Sequence, residues 1–239
     1  MDLLNQFIIK PIIPIKVFGL DVSFTNSALF MLFALLASSV VFSFNRNKLN
    51  LIPNYFQIFT EMIYNFISSL VEQYLKKEAK AYVPFFMSLF IFIILGNLFG
   101  LLPNSFTFTS HLMTTFMLAL YVFLLSIIVG FRKHGLRLFT LFTPKGIPTA
   151  IVPLIFLIEF ALFFVKPVVM ALRLCVNMIA GHIVLKVILH YSVTLGLIKF
   201  IPILGYSAIL LFELAIAIFQ AYIFVLLSCI SLKDVLYLH

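Results

Sequence analysis

Tryptophan is absent from this chain of 239 residues, acidic side chains are scarce, and cysteine occurs only twice. Each shortage excludes something. Only 10% of the residues are charged and 64% are hydrophobic, with a mean hydropathy of +1.20. Soluble domains carry about 25% charge and about 45–50% apolar residues, so this composition excludes a water-soluble globule and indicates an integral membrane protein. Cys175 and Cys229 stand singly in apolar segments, without CxxC or Cys/His spacing, and give neither a disulfide framework nor a metal site. No GxxxxGK[ST] or GxGxxG run is present, so no motif binds a nucleotide. The net charge of +8 follows membrane topology and does not point to nucleic acid. Without tryptophan, the interfacial aromatic belt is supplied by tyrosine or is missing. The first residues, Asp2 to Gln6, lack a basic stretch ahead of an apolar run, and no cleavable signal peptide is expected.

What is present is a series of apolar segments with distinct patterns. Residues 1–25 read as a short arm outside the membrane, with Pro11, Pro14 and both charge signs. Residues 28–44 are uncharged and about long enough to cross a bilayer. Over 52–77 the pattern changes. Tyr55, Phe56, Phe59, Met62, Ile63, Phe66, Ile67 and Leu70 recur at three- and four-residue steps, opposite Gln57, Thr60, Glu61, Ser68 and Glu72. This is an amphipathic helix, expected along the membrane surface. A hairpin of two spans follows over 82–131, with an uncharged turn at Pro103–Ser110.

The last two segments, 147–198 and 202–232, are too long for simple crossings. The first is punctuated by Pro148, Pro153 and Pro167. At 1.5 Å per residue an unbroken helix would far exceed a hydrocarbon core of about 30 Å. Either it breaks near Pro167 or it tilts, and hydropathy does not choose. Arg46, Lys48, Lys76, Lys77, Lys80, Arg132, Lys133, Arg137 and Lys145 fall on one side of the alternating loops, against Lys10 and Lys16 on the other. The first group is expected on the cytoplasmic or matrix side.

The polar residues within the apolar segments carry the chemistry. Arg173 lies in the middle of 147–198. A mid-membrane arginine costs roughly 2.5–3.5 kcal/mol on insertion scales and cannot deprotonate to escape that cost. Glu159, Lys166 and Arg173 are spaced by seven and share a face; Asn177, four residues on, joins them, while His182 points away. In the last segment Tyr206, Glu213, Gln220 and Asp234 form a second heptad stripe. In an antiparallel hairpin Arg173 comes level with Gln220, and His182 with Glu213. Interhelical hydrogen bonding is one reading of Asn177, Gln220 and Tyr206, and a Glu159–Lys166 ion pair is another possibility for that stripe. Arg173 finds no counter-ion in its own chain, which suggests one on another subunit. His182 and Glu213, level with each other, read as a proton relay. Two such groups make a poor zinc site.

Ala171-Leu-Arg173-Leu-Cys-Val-Asn177-Met-Ile-Ala-Gly181-His182 and Phe212-Glu213-Leu-Ala-Ile-Ala-Ile-Phe-Gln220-Ala-Tyr222 resemble subunit a of F-type ATP synthases, as does Gly96-Asn97-Leu-Phe-Gly100-Leu-Leu-Pro103. The resemblance covers most of the chain from about residue 50. His182 with Glu213 is similar to mitochondrial and α-proteobacterial members; Lys166 stands where mitochondrial members often have glutamine and bacterial ones lysine.

The resemblance implies an all-α membrane fold: one N-terminal transmembrane helix, a surface amphipathic helix, a transmembrane hairpin, and two long, strongly tilted C-terminal helices against a rotor ring. It thus favours tilt over a break. It implies a proton-translocating stator subunit of the Fo sector, with two offset half-channels. Arg173 would be the essential rotor-facing charge, Glu213, His182 and Glu159 the proton path, and Asn177, Gln220, Lys166 and Tyr206 the supporting polar residues. The implied partners are the c-ring, the peripheral stalk and other Fo stator subunits, and lipids, in a larger complex for which a dimer is one implied form. No cofactor or metal is implied, and the ATP chemistry belongs to other subunits. The implied location is the mitochondrial inner membrane, or an α-proteobacterial plasma membrane, with the C-terminus on the matrix or cytoplasmic side. A secondary cation/proton transporter is the alternative, but such folds show two related halves, and none is visible here.

Overall fold

A computed structural model describes residues 8–14, 16–17, 20–21, 23–44, 53–102, 105–143, 151–194 and 200–237. Arg46, Lys48, Pro103, Lys145 and Pro148 lie outside the described residues. Six helices dominate: α1 (Asn26–Phe44), α2 (Tyr55–Leu75), α3 (Ala79–Leu101), α4 (Leu112–His134), α5 (Val152–Thr194) and α6 (Phe200–Leu236). Short 3-10 turns occupy Lys76–Glu78, Phe108–Ser110 and Gly135–Phe142. In the N-terminal arm, β1 (Pro11–Ile13) pairs antiparallel with β4 (Phe24–Thr25), and β2 (Lys16–Val17) with β3 (Leu20–Asp21). Asn26 fastens the arm to α1: its Nδ2 donates to the Ile8 carbonyl at 3.2 Å and its Oδ1 accepts from the Lys10 amide at 3.2 Å.

Among the described residues, four helical stretches are long and apolar enough to cross a membrane: Tyr55–Leu101, Leu112–Phe142, Val152–Leu189 and Leu204–Leu236; Asn26–Phe42 is a shorter apolar helix. The protein is an all-α, multi-pass membrane protein. Its outer surface agrees with that: Leu154, Leu157, Leu211, Phe212 and Phe219 are all more than half exposed on α5 and α6. In lipid such side chains need no cover, while backbone groups must be satisfied within each helix.

α5 is one continuous helix of 43 residues through Pro167, about 65 Å at 1.5 Å per residue. The proline removes one backbone donor, yet its ring is buried in the packing, and one missing bond does not break a helix held along its length. α4 runs on through Arg132, Lys133 and His134 into the following 3-10 turn, where the sequence suggested a basic loop; Gly135, at φ +58, ends the α-helix there.

Burial in α2 departs from a simple amphipathic reading. Its second half buries Ile67, Leu70, Val71 and Leu75, but its first half buries Gln57 and Thr60 while Tyr55, Phe56, Phe59 and Met62 point outward. Gln57 donates to Glu61 Oε1 at 2.8 Å, and the Thr60 hydroxyl returns to the Gln57 carbonyl at 3.0 Å. Polar groups satisfied inside the protein, with apolar ones outside, is an arrangement that lipid tolerates and water does not.

The core gathers Val71 and Leu75 of α2, Phe86 and Ile93 of α3, Val122 of α4, Leu174 of α5 and Phe224 and Val225 of α6. Phenylalanine does much of the filling. Phe123, Phe142 and Phe163 join α4, the turn after it and α5, with the Phe142 and Phe163 rings edge-on at 5.5 Å. At Gly130 any Cβ would run into Val235, so glycine is what lets α4 and α6 approach.

Candidate functional site

α5 and α6 lie antiparallel, held by cross-contacts at three levels. Lys166 Nζ donates to Asp234 Oδ2 at 2.7 Å, Asn177 Nδ2 donates to Gln220 Oε1 at 3.0 Å, and His182 Nδ1 lies 4.0 Å from Glu213 Oε1. Residue numbers climb on α5 as they fall on α6, which is the antiparallel order. The register differs by one turn from the sequence expectation at Gln220, which is level with Asn177 and not with Arg173.

Arg173 is exposed on the outer face of α5, with exposed Leu172 and Val176 around it and buried Ala171 and Leu174 behind. Among the described residues it forms no hydrogen bond or ion pair. Lys166 differs: it shares the stripe with Arg173 but is paired, and its partner is Asp234 and not Glu159. Seven helical residues span about 10 Å, more than a lysine–glutamate pair closes, whereas α6 brings Asp234 alongside. Glu159 is exposed and without a partner among the described residues, and Tyr206 is half-buried, away from these contacts.

The other end is buried. His182 is 6% exposed and Glu213 4%. Both Glu213 carboxylate oxygens are buried without a hydrogen-bond partner among the described residues; the 4.0 Å to His182 is beyond hydrogen-bond range. Space for this carboxylate comes from Gly181, where a Cβ would collide with the Glu213 carboxyl group, 2.7 Å from its carbon. His182 Nε2 and the Thr107 hydroxyl hydrogen-bond at 3.0 Å. Asn97 Nδ2 donates to the Ala217 carbonyl at 3.1 Å, and its Oδ1 is buried and unpartnered. Cys175 Sγ donates to the Ser110 carbonyl at 2.9 Å, tying the turn before α4 onto α5. Buried polar atoms without partners are few in native proteins; three of them meet here on α3 and α6.

The ATP synthase A chain family model matches residues 27–233. The chain belongs to that family. It is 43% identical over 237 residues to ATP synthase subunit a of Orientia tsutsugamushi (strain Boryong), covering 99% of this chain and 98% of that one. The family match runs from the second residue of α1 into the last turn of α6, so it holds every polar residue of this site except Asp234, one position beyond.

Thr107, Asn97 and Gly181 take part in the site geometry without having been given a role from sequence. Thr107 reaches His182 across 75 residues from an uncharged turn, so no periodicity marks it. Asp234 did carry a signal, since it stands on the heptad stripe of Glu213 and Gln220.

Proposed function

We propose that this chain is the proton-translocating stator subunit of the Fo sector of an F-type ATP synthase, and that Arg173 faces the carboxylates of a rotating ring of small subunits. The observation that carries the reading is the exposed, unpaired guanidinium in an apolar helix. A permanent cation in that setting needs an anion, and the described residues supply Lys166 with one but not Arg173.

Two half-channels follow from the polar clusters. On the outer side a proton passes the Thr107, His182 and Glu213 group to a ring carboxylate, and the neutralised carboxyl then enters lipid. On the inner side, near Glu159 and the Lys166–Asp234 pair, the carboxyl ionises, and Arg173 favours its charged form. Arg173 also bars direct passage between the two channels because it is never neutral. Asn177 and Gln220, bonded to each other, brace the helices behind it. The subunit does no ATP chemistry itself. A proton falling through 100 mV releases about 2.3 kcal/mol, so several are needed per ATP.

The C-terminal end of α6 belongs with the basic, inner ends of the other helices. Glu78 pairs with Lys133, His134 Nε2 donates to the Leu236 carbonyl at 3.0 Å, and the Tyr237 hydroxyl donates to the Leu75 carbonyl at 2.6 Å. By the charge-bias rule that end faces the matrix of a mitochondrion, or the cytoplasm if the membrane is bacterial, like that of the relative. α5 and α6 lie strongly tilted, since their lengths exceed the hydrocarbon core.

Arg173→Ala is the test. In vesicles carrying the assembled complex, ATP-driven acidification should vanish while ATP hydrolysis by the detached catalytic sector is unchanged. Acidification at a measurable fraction of the parent rate would refute the role.

A further inference from the structure

A cavity of about 250 Å³ lies outside the polar path, between α1, α3, α4 and α5. Met31, Phe92, Leu118, Tyr121 and Leu174 line it, so its wall is almost wholly apolar. One side is open, and there Met117 and Tyr121 are 49% and 57% exposed on the outward face of α4. At its end toward the α3–α4 turn stands Thr109, 2% exposed, whose hydroxyl has no hydrogen-bond partner among the described residues. The neighbouring threonines are already satisfied: Thr114 donates to the Phe108 carbonyl and Thr115 to the Leu112 carbonyl at 3.1 Å.

We propose that this cavity is the seat of one phospholipid acyl chain, with the lipid's glycerol-ester carbonyl accepting a hydrogen bond from the Thr109 hydroxyl. The polarity order fits that molecule. Thr109 lies in the turn that joins α3 to α4, and the apolar wall continues from it along α4. Water gains little in an apolar cavity, and an empty one forfeits the dispersion contacts of its lining. A chain entering from the bilayer restores those contacts and gives the buried hydroxyl the acceptor it lacks. The inner wall is Leu174, adjacent to Arg173 on the buried side of the same helix, so the bound chain backs the segment that holds the guanidinium outward.

The test uses the purified complex in nanodiscs containing phosphatidylglycerol with a diazirine in mid-chain, followed by exchange into lipid-free detergent, illumination and peptide mapping. Adducts on Met31, Leu118 and Tyr121 should survive the exchange, while those on Leu36, 58% exposed on α1, disappear. Thr109→Val, which keeps the shape and removes the hydroxyl, should cut retained labelling about fivefold, as loss of one hydrogen bond implies. Met117→Trp, which narrows the mouth, should abolish it in an assembled complex and decides the matter should the threonine variant not assemble. Adducts lost as fast as those on Leu36, labelling indifferent to both substitutions, or retention of a diazirine fatty acid in place of the phospholipid would each overturn the proposal.

Discussion

The two ends of the α5–α6 hairpin handle charge in opposite ways. At the end near the C-terminus of α6, Lys166 and Asp234 form a direct ion pair, half open to the surroundings, with side chains 40% and 32% exposed. At the other end Glu213 and His182 are sealed, and the carboxyl group has no hydrogen bond among the described residues. A closed ion pair satisfies both charges and holds them in place. A buried carboxyl beside an imidazole, with no hydrogen bond to fix it, is the arrangement that the proposed proton path uses. Arg173 stands between the two arrangements and belongs to neither. The contrast separates charges that are cancelled from charges available for exchange, and each should respond differently to substitution.

The largest effect is expected at the buried end. Glu213→Gln keeps the volume that Gly181 leaves for the side chain and removes the titratable proton. Proton transport in reconstituted vesicles should fall about a hundredfold or more, the range of one lost acid–base group, while the assembled complex is recovered in normal yield. An unchanged rate would remove Glu213 from the path.

Breaking the inner pair should matter less and in a different manner. Asp234→Asn leaves the Lys166 cation uncompensated, seven residues from Arg173 on the same stripe. That second cation should hold ring carboxylates too long, and ATP synthesis should slow several-fold. Adding Lys166→Gln should restore most of the rate, because the extra charge is then gone. A double variant as slow as the single one would mean that Asp234 acts by itself and not by cancelling Lys166.

The smallest effect is expected at Thr107. Thr107→Val preserves the shape and removes the hydrogen bond to His182 Nε2, which holds the imidazole's orientation. The rate should drop about two- to fivefold, with a displaced pH profile of transport. Thr107→Ser should recover the parent profile; failure to do so would make the threonine a packing residue only.

Much of this arrangement was legible in the sequence, for identifiable reasons. Charges are so rare in the apolar segments that Glu159, Lys166, Arg173 and Glu213 announce themselves, and a spacing of seven assigns a helix face without further information. The proline-bearing segment left tilt and break open, because propensity registers the lost donor at Pro167 but not the packing around its ring. The pairing of Lys166 was not legible for a geometric reason: Glu159 is near in sequence but two turns away, and only the antiparallel approach of α6 brings Asp234 within reach. Thr107 was invisible because a single hydroxyl in a polar turn has no period, and its contact with α5 exists only once the turn folds back. The outward-facing aromatic residues at the start of α2 invert the rule learned from soluble proteins, since the burial of Gln57 and Thr60 depends on which side faces lipid.

The central claim is that the exposed face of α5 around Arg173 meets a moving ring. Single cysteines in place of Leu172 or Val176, which flank Arg173 and are 42% and 54% exposed, and of Ala171 or Met178, which are 0% and 1% exposed, would be oxidised in membranes whose ring subunits carry a cysteine one turn from their carboxylate. The first two should form disulfide cross-links to the ring and stop rotation, and the last two should not. Cross-links from the buried pair alone, or none from Leu172 and Val176 in a complex that otherwise assembles, would contradict the account.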